Sequence, residues 1–183
     1  MLQNKSIKNA ILSLKAGGVI AYPTESVFGL GCDPFNEEAV LKLIQLKHRS
    51  PHKGFIVVGA SWEQLEPLTE PVAPAILAQV LASWPGPFTW IFPSKPNTLK
   101  LVRGAHASIA LRVSAHPIVQ TLCSVFGPLI STSANREGHP PARNEKMVKL
   151  IFEKTVDYIV PGKVGNQLKP TQIRDAITGE ILR

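Results

Sequence analysis

The hydrophobic period of this chain switches between helical and strand-like spacing many times within 183 residues, and proline or glycine marks most of the switches. Ile7, Ala10, Ile11 and Leu14 recur at helical spacing, and Gly17-Gly18 stop that helix where positive φ is cheap. Val19 to Tyr22 follows as a short apolar run, ended by Pro23, which has no ladder donor. Asn36 offers an N-cap, Glu37 and Glu38 suit a helix's positive end, and Ala39, Val40, Leu43 and Ile44 form one stripe. Phe55 to Val58 reads as a buried strand, and Ser61 with Gln64 matches a capping box opening a short helix at Trp62. A helical stretch around Ala73 to Ser83 gives way to the loop Trp84 to Pro87, the strand-like run Phe88 to Phe92, and a loop over Pro93 to Leu99. Ser108 to Val113 alternates with period two, placing Ile109, Leu111 and Val113 on a core face and Ser108, Ala110 and Arg112 on a free one. Pro117 opens a helix carrying Ile118, Val119, Leu122, Cys123 and Phe126, and Gly127-Pro128 ends it. Leu129 to Ser131 reads as a strand, Asn144 as the cap of a helix with Met147, Val148 and Ile151, and Tyr158 to Val160, Gln172-Ile173 and Glu180 to Leu182 as further strands. The mixture predicts one α/β domain over residues 1–183, a twisted mixed sheet with flanking helices in which the Phe88 and Val113 runs can pair. It does not set the strand order.

Sixteen prolines and thirteen glycines keep those elements short, while 44% apolar content suffices for one sizeable core. A formal charge of +7 favours anionic partners such as nucleotides, RNA or an acidic surface. Cys32 and Cys123 lack C-x-x-C spacing, so neither a zinc site nor a disulfide framework is expected, and a reducing compartment fits. The first eighteen residues have no uninterrupted apolar stretch and read as a structural helix rather than a signal peptide; no segment is long enough to span a membrane. A cytoplasmic protein is expected.

Three segments could carry chemistry. Lys47 falls seven residues after Val40, four after Leu43 and three after Ile44, which puts a lysine on the apolar stripe at a helix end. A lysine there can simply snorkel and complement the helix C-terminus. The neighbours His48, Arg49, His52 and Lys53 instead make a cluster suited to phosphates. Ser131 to Asn135 ends a strand-like run in hydroxyl and amide groups, where ligands bind in α/β folds, although polar loops are usually only loops. Pro23 to Asp33 reads as a loop in which Gly29 and Gly31 permit close backbone approach, without a phosphate-loop Gly-Lys-Ser/Thr. No H-E-x-x-H, G-x-S-x-G, G-x-G-x-x-G or paired-carboxylate spacing occurs, and five histidines are scattered. What remains fits nucleotidyl or phosphoryl chemistry performed by positioning and charge stabilisation rather than by a covalent nucleophile.

At these residues the chain resembles the YrdC family of threonylcarbamoyl-AMP synthases, most closely its short bacterial TsaC form. The resemblance rests on GGVIAYPTESVFGLGCDP at Gly17 to Pro34, Lys47 and Arg49, SIALRVSAHP at Ser108 to Pro117, Ser133 and Asn135, and the C-terminal VPG and IRDAITGEILR segments. It implies a YrdC-like fold around a deep positively charged cavity. It further implies a nucleotidyltransferase that consumes L-threonine, bicarbonate or carbon dioxide, and ATP with magnesium, uses no prosthetic group, and releases pyrophosphate. By the same matching, Lys47 and Arg49 are catalytic cations that also bind nucleotide with Ser108, Ser133, Asn135, Pro141 and Arg183. Thr24, Arg112, Ser131 and Thr171 meet threonine, Arg112 holding its carboxylate as a two-pronged fork. The chain departs from the family's common Glu-Ser-Thr at Pro170, Thr171 and Gln172. The labile adenylate would be shielded from water and handed to a separate tRNA threonylcarbamoyl transferase complex, which modifies the adenosine beside the anticodon.

The rival from another class is a non-catalytic module that binds double-stranded RNA or tRNA, or serves ribosome maturation, through phosphate contacts. Lys47 on a buried stripe and Arg112 on a small-residue strand face favour the enzyme, since phosphate binders prefer exposed cations. A carbamoyl-phosphate-linked maturation enzyme would need further domains and zinc motifs that the sequence lacks.

Overall fold

The structure, a computed structural model, describes residues 2–152, 154–167 and 171–183. Helix α1 (Leu2–Lys15) leads through Gly17, at φ 76°, into the hairpin β1 (Ile20–Pro23) and β2 (Phe28–Gly31). Helix α2 (Glu37–Lys47), β3 (Ile56–Gly59), the short α3 (Trp62–Leu65), α4 (Pro74–Leu81) and β4 (Phe88–Pro93) follow. Then come the single turn α5 (Lys100–Arg103), β5 (Ser108–Val113), α6 (Pro117–Phe126), β6 (Leu129–Ser133), α7 (Glu145–Phe152), β7 (Tyr158–Ile159) and β8 (Gln172–Asp175). The eight described strands form one mixed sheet in the order β7-β1-β2-β6-β3-β5-β4-β8. The expected pairing of the Phe88 and Val113 runs is the antiparallel β4–β5 ladder, with Trp90 opposite Leu111.

Period-two alternation divides the core between the two faces of this sheet. Ile20, Tyr22, Val58 and Leu129 pack with α1 and α6, whereas Ala21, Val57, Ile130 and Leu111 pack with α2 and α7. The expected caps hold at two helices: Asn36 Oδ1 accepts from the Ala39 amide at 3.1 Å, and Asn144 Oδ1 from the Met147 amide at 3.0 Å. At α3 the capping box does not form. Ser61 makes no side-chain cap bond, and Gln64 Oε1 instead accepts from the Ala60 amide at 2.9 Å.

Two other expectations are corrected, and one element was not foreseen. The stretch Pro23 to Asp33 is not all loop, because Phe28–Gly31 is a central strand. Its glycines hide it from propensity, yet they are required: a Cβ on Gly31 would run into the Ile130 carbonyl and lie 2.9 Å from the Tyr22 ring. The run at Glu180 to Leu182 is reduced to an isolated bridge between Ile181 and Arg174. Helix α5 carried no periodic signal, being only four residues long. Among the described residues no helix is long and apolar enough to cross a membrane.

Candidate functional site

Helices α1 and α6 cover only part of the sheet face on which they lie. Beyond them the same face carries Ile56, Ser108, Ala110, Arg112 and Ser131, which form the floor of a cavity of about 460 Å³. The free strand face expected of Ser108, Ala110 and Arg112 is therefore this floor. Thr24 and Val27 of the β1–β2 turn, Arg49 and Gly54 after α2, Arg103 and His106 around the end of α5, and Pro141 and Arg143 before α7 supply walls. Thr171 and Arg183 close the remaining side from the C-terminal hairpin, where Arg183 donates to the Thr171 carbonyl at 3.3 Å.

Nine residues singled out in the sequence thus meet around one space: Thr24, Arg49, Ser108, Arg112, Ser131, Ser133, Pro141, Thr171 and Arg183. Lys47 and Asn135 stand behind that wall rather than in it. Lys47 does not snorkel: it is 3% exposed, and its Nζ donates to the Ser133 carbonyl at 2.5 Å, the Asn135 carbonyl at 2.7 Å and Asn135 Oδ1 at 3.2 Å. The same amide oxygen accepts from Ser133 Oγ at 2.6 Å, so one ammonium gathers the end of β6 and the loop after it. Burial, reinforced by Arg49, pushes the Lys47 ammonium down to about 8. Pro170 lies outside the described residues.

Arg49 leaves α2 through a left-handed residue, His48 at φ 54°. It donates through Nη2 to the Gly54 carbonyl at 2.8 Å and rests 5.0 Å from the centroid of Phe55, while its buried Nε has no partner. Arg112 is 5% exposed and pairs through Nη2 with Glu25 Oε2 at 3.1 Å. Burial would raise the Glu25 carboxyl, but Arg112, the Ser114 hydroxyl and the Ala115 amide outweigh it and hold Glu25 below its ordinary range. Thr24 Oγ1 donates to the Val27 carbonyl at 2.8 Å, which fixes the turn that brings it to the cavity.

Reasoning from sequence missed Glu25, Arg103 and Arg143. Glu25 is separated by 87 residues from the arginine it pairs with, so no local spacing could mark it. Arg103 follows from the unforeseen α5, and Arg143 looked like one more loop cation beside Asn144. Five arginines line the cavity and, among the described residues, no carboxylate does. Cys32 and Cys123 are buried free thiols that burial pushes up to about 12, which leaves neither usable as a nucleophile near neutral pH.

A mixed α/β sheet with an arginine- and hydroxyl-lined recess on its uncovered half defines a domain built to hold small anionic molecules. The chain belongs to the Sua5/YciO/YrdC family, whose model, described as telomere recombination, matches residues 13–183. A protein of Coxiella burnetii (strain RSA 493 / Nine Mile phase I) named threonylcarbamoyl-AMP synthase is 54% identical over 180 residues, covering 98% of this chain and 97% of that one. The H234A/Y235A form of P. abyssi Sua5 superposes with a TM-score of 0.92 at 28% identity over 97% of this chain and 55% of its own. The same protein in complex with L-threonine gives 0.87 at 28% identity, over 92% and 50%. The chain thus spans about half the length of Sua5. E. coli YciO gives 0.86 at 26% identity, over 99% of this chain and 89% of its own.

Proposed function

We propose that this chain, as one YrdC-like domain over residues 1–183, is an L-threonylcarbamoyladenylate synthase acting in tRNA modification. The carrying observation is the convergence on one cavity of nine residues drawn from segments far apart in the chain. Relatives named threonylcarbamoyl-AMP synthase align over nearly the whole length, which favours this reading over a non-catalytic RNA-binding module.

In this reaction the threonine amine adds to carbon dioxide, supplied as such or as bicarbonate, and loses a proton to give a carbamate. A carbamate oxygen then attacks the α-phosphorus of ATP, and pyrophosphate leaves. Arg49 faces the triphosphate with Ser108, Ser133, Pro141 and Arg183. Lys47 contributes charge from behind and holds Ser133 and Asn135 in place, so both cations favour the developing negative charge. The threonine end is formed by Thr24, Arg112, Ser131 and Thr171. Magnesium would arrive with ATP and would offset part of the charge of its phosphate oxygens. The adenylate then passes to a tRNA threonylcarbamoyl transferase complex in the cytoplasm, with direct contact to tRNA open to the basic surface.

The test is pyrophosphate release by purified protein given ATP, magnesium and labelled bicarbonate with each amino acid in turn. Release that requires threonine, with label in an adenylate product, is expected. Release independent of the amino acid would exclude the assignment.

A further inference from the structure

Behind Thr24, just outside the cavity, lies a buried carboxylate to which the reaction above gives no part. Glu25 is 7% exposed, and its side-chain contacts run inward. Oε1 accepts from Ser114 Oγ at 2.7 Å and from the Ala115 amide at 3.1 Å; Oε2 accepts from Arg112 Nη2 at 3.1 Å. Its backbone is held as firmly. The Glu25 carbonyl accepts from the Gln167 amide at 3.1 Å, and Gly165 approaches so closely that a Cβ there would lie 2.7 Å from that carbonyl. A carboxylate withdrawn from water is expensive unless it is fully paired, and this one is.

Arg112 stands on the other side of the pair. Among the described residues Glu25 supplies the acceptor for its guanidinium, and only one of its nitrogens is engaged. Nε has no partner although it is buried. A long side chain projecting from a strand has several rotamers to lose when a ligand orders it. A carboxylate behind it that takes one nitrogen fixes the plane of the guanidinium before the ligand arrives, leaving further donors of the rigid fork for a second planar anion. Pairing also tempers the net field at this end of the cavity, which suits a singly charged carboxylate better than a triphosphate.

We infer that Glu25 is a positioning residue for the amino-acid substrate, setting Arg112 in the orientation that receives the threonine carboxylate. The inference rests on the function proposed above. Glu25 acts through Arg112 alone and touches no reacting atom.

Pyrophosphate release is measured against threonine and against ATP for wild type, Glu25→Gln, Arg112→Lys and the double variant, with a thermal melt of each. Glu25→Gln should raise the KM for threonine about tenfold while moving that for ATP less than about twofold, a split that general loosening would not give. In the Arg112→Lys background the same change should add much less than it does alone, because both act on one contact. Equal shifts for both substrates, an unchanged threonine KM, or full additivity in the double variant would each overturn the inference. So would a fall in kcat at constant threonine KM, which would make Glu25 a proton acceptor. If Glu25→Gln does not fold, Ser114→Ala, which removes one support of the carboxylate, should show the same split more weakly, and no split there counts against it. A wild type lacking threonine-dependent release removes the functional reading itself, an outcome distinct from all of these.

Discussion

Lys47 and Arg112 are hidden from solvent to nearly the same degree, 3% and 5% exposed, yet they escape the penalty of a buried charge by opposite means. Lys47 gives its three protons to three oxygens of Ser133 and Asn135 and, among the described residues, has no carboxylate partner. Arg112 has a carboxylate partner and leaves donors over. A cation held by carbonyl dipoles keeps its place but can lose its proton, and the burial of Lys47 brings that loss to about 8. A guanidinium paired with a carboxylate keeps both charge and orientation. On the function proposed above, the nucleotide end of the cavity would be backed by an ammonium that burial makes easier to deprotonate, and the amino-acid end by a guanidinium held against a carboxylate.

Removing the lysine breaks this comparison most severely. Lys47→Ala should lower pyrophosphate release at least about a hundredfold, the scale of losing one preorganised charge-stabilising donor. It should also leave the Ser133 and Asn135 carbonyls unpaired at about 1–3 kcal/mol, a fall in Tm of several degrees without loss of the fold. Turnover at the wild-type rate would refute the role. Arg112→Lys is the milder break. A point charge cannot reproduce a planar fork, so the threonine KM should rise about tenfold with the ATP KM little moved. Equal shifts of the two constants would contradict the assignment of Arg112 to the carboxylate.

The place of each cation on its element could be read from the chain, but the burial of Arg112 and the different surroundings of the two could not. Lys47 on the stripe of Val40, Leu43 and Ile44, and Arg112 beside Ser108 on a strand's free face, follow from periods of 3.6 and 2. The same periods locate α1, α2, α6 and most strands, because each buries a regular face. The strand β2 stayed hidden because Gly29 and Gly31 answer to the Tyr22 ring and neighbouring strands rather than to local propensity. Glu25 stayed hidden because it acquires meaning only when the β1–β2 turn meets Ser114 and Arg112 from β5 and its end. Local periodicity reports which side of an element faces inward. It does not report what waits there.

Titration sharpens the contrast further. If the charged form of Lys47 assists the nucleotide, kcat/KM for ATP, which reports the free enzyme, should fall several-fold as pH rises through about 8. Stability should move the other way. The folded-state pKa of Lys47 lies below its unfolded value near 10.4, so between about 8 and 10.4 the unfolded chain binds more protons, and the lysine's contribution grows as pH rises across that window. Melts of wild type and Lys47→Met from pH 7 to 10 should show the wild type gaining on the variant. A constant difference would mean that the buried ammonium does not titrate there.

The smallest effect concerns the residue between Lys47 and Arg49. His48 caps α2 at φ 54°, ψ 41°, with its amide donating to the Gln45 and Ile44 carbonyls. This left-handed step lets Lys47 finish the helix facing inward while Arg49 turns toward Phe55 and the cavity. A side chain in that conformation is strained by about 1 kcal/mol or more, and glycine there avoids the clash while adding freedom to the unfolded chain. The balance for His48→Gly is a gain of at most about 1 kcal/mol, or up to roughly 2–4 °C in Tm for a chain of this size. A thermal melt decides it. An unchanged or lowered Tm would mean that the imidazole makes up for the strain, and that the turn between Lys47 and Arg49 is held by the side chain of His48 as well as by the hydrogen bonds of its backbone.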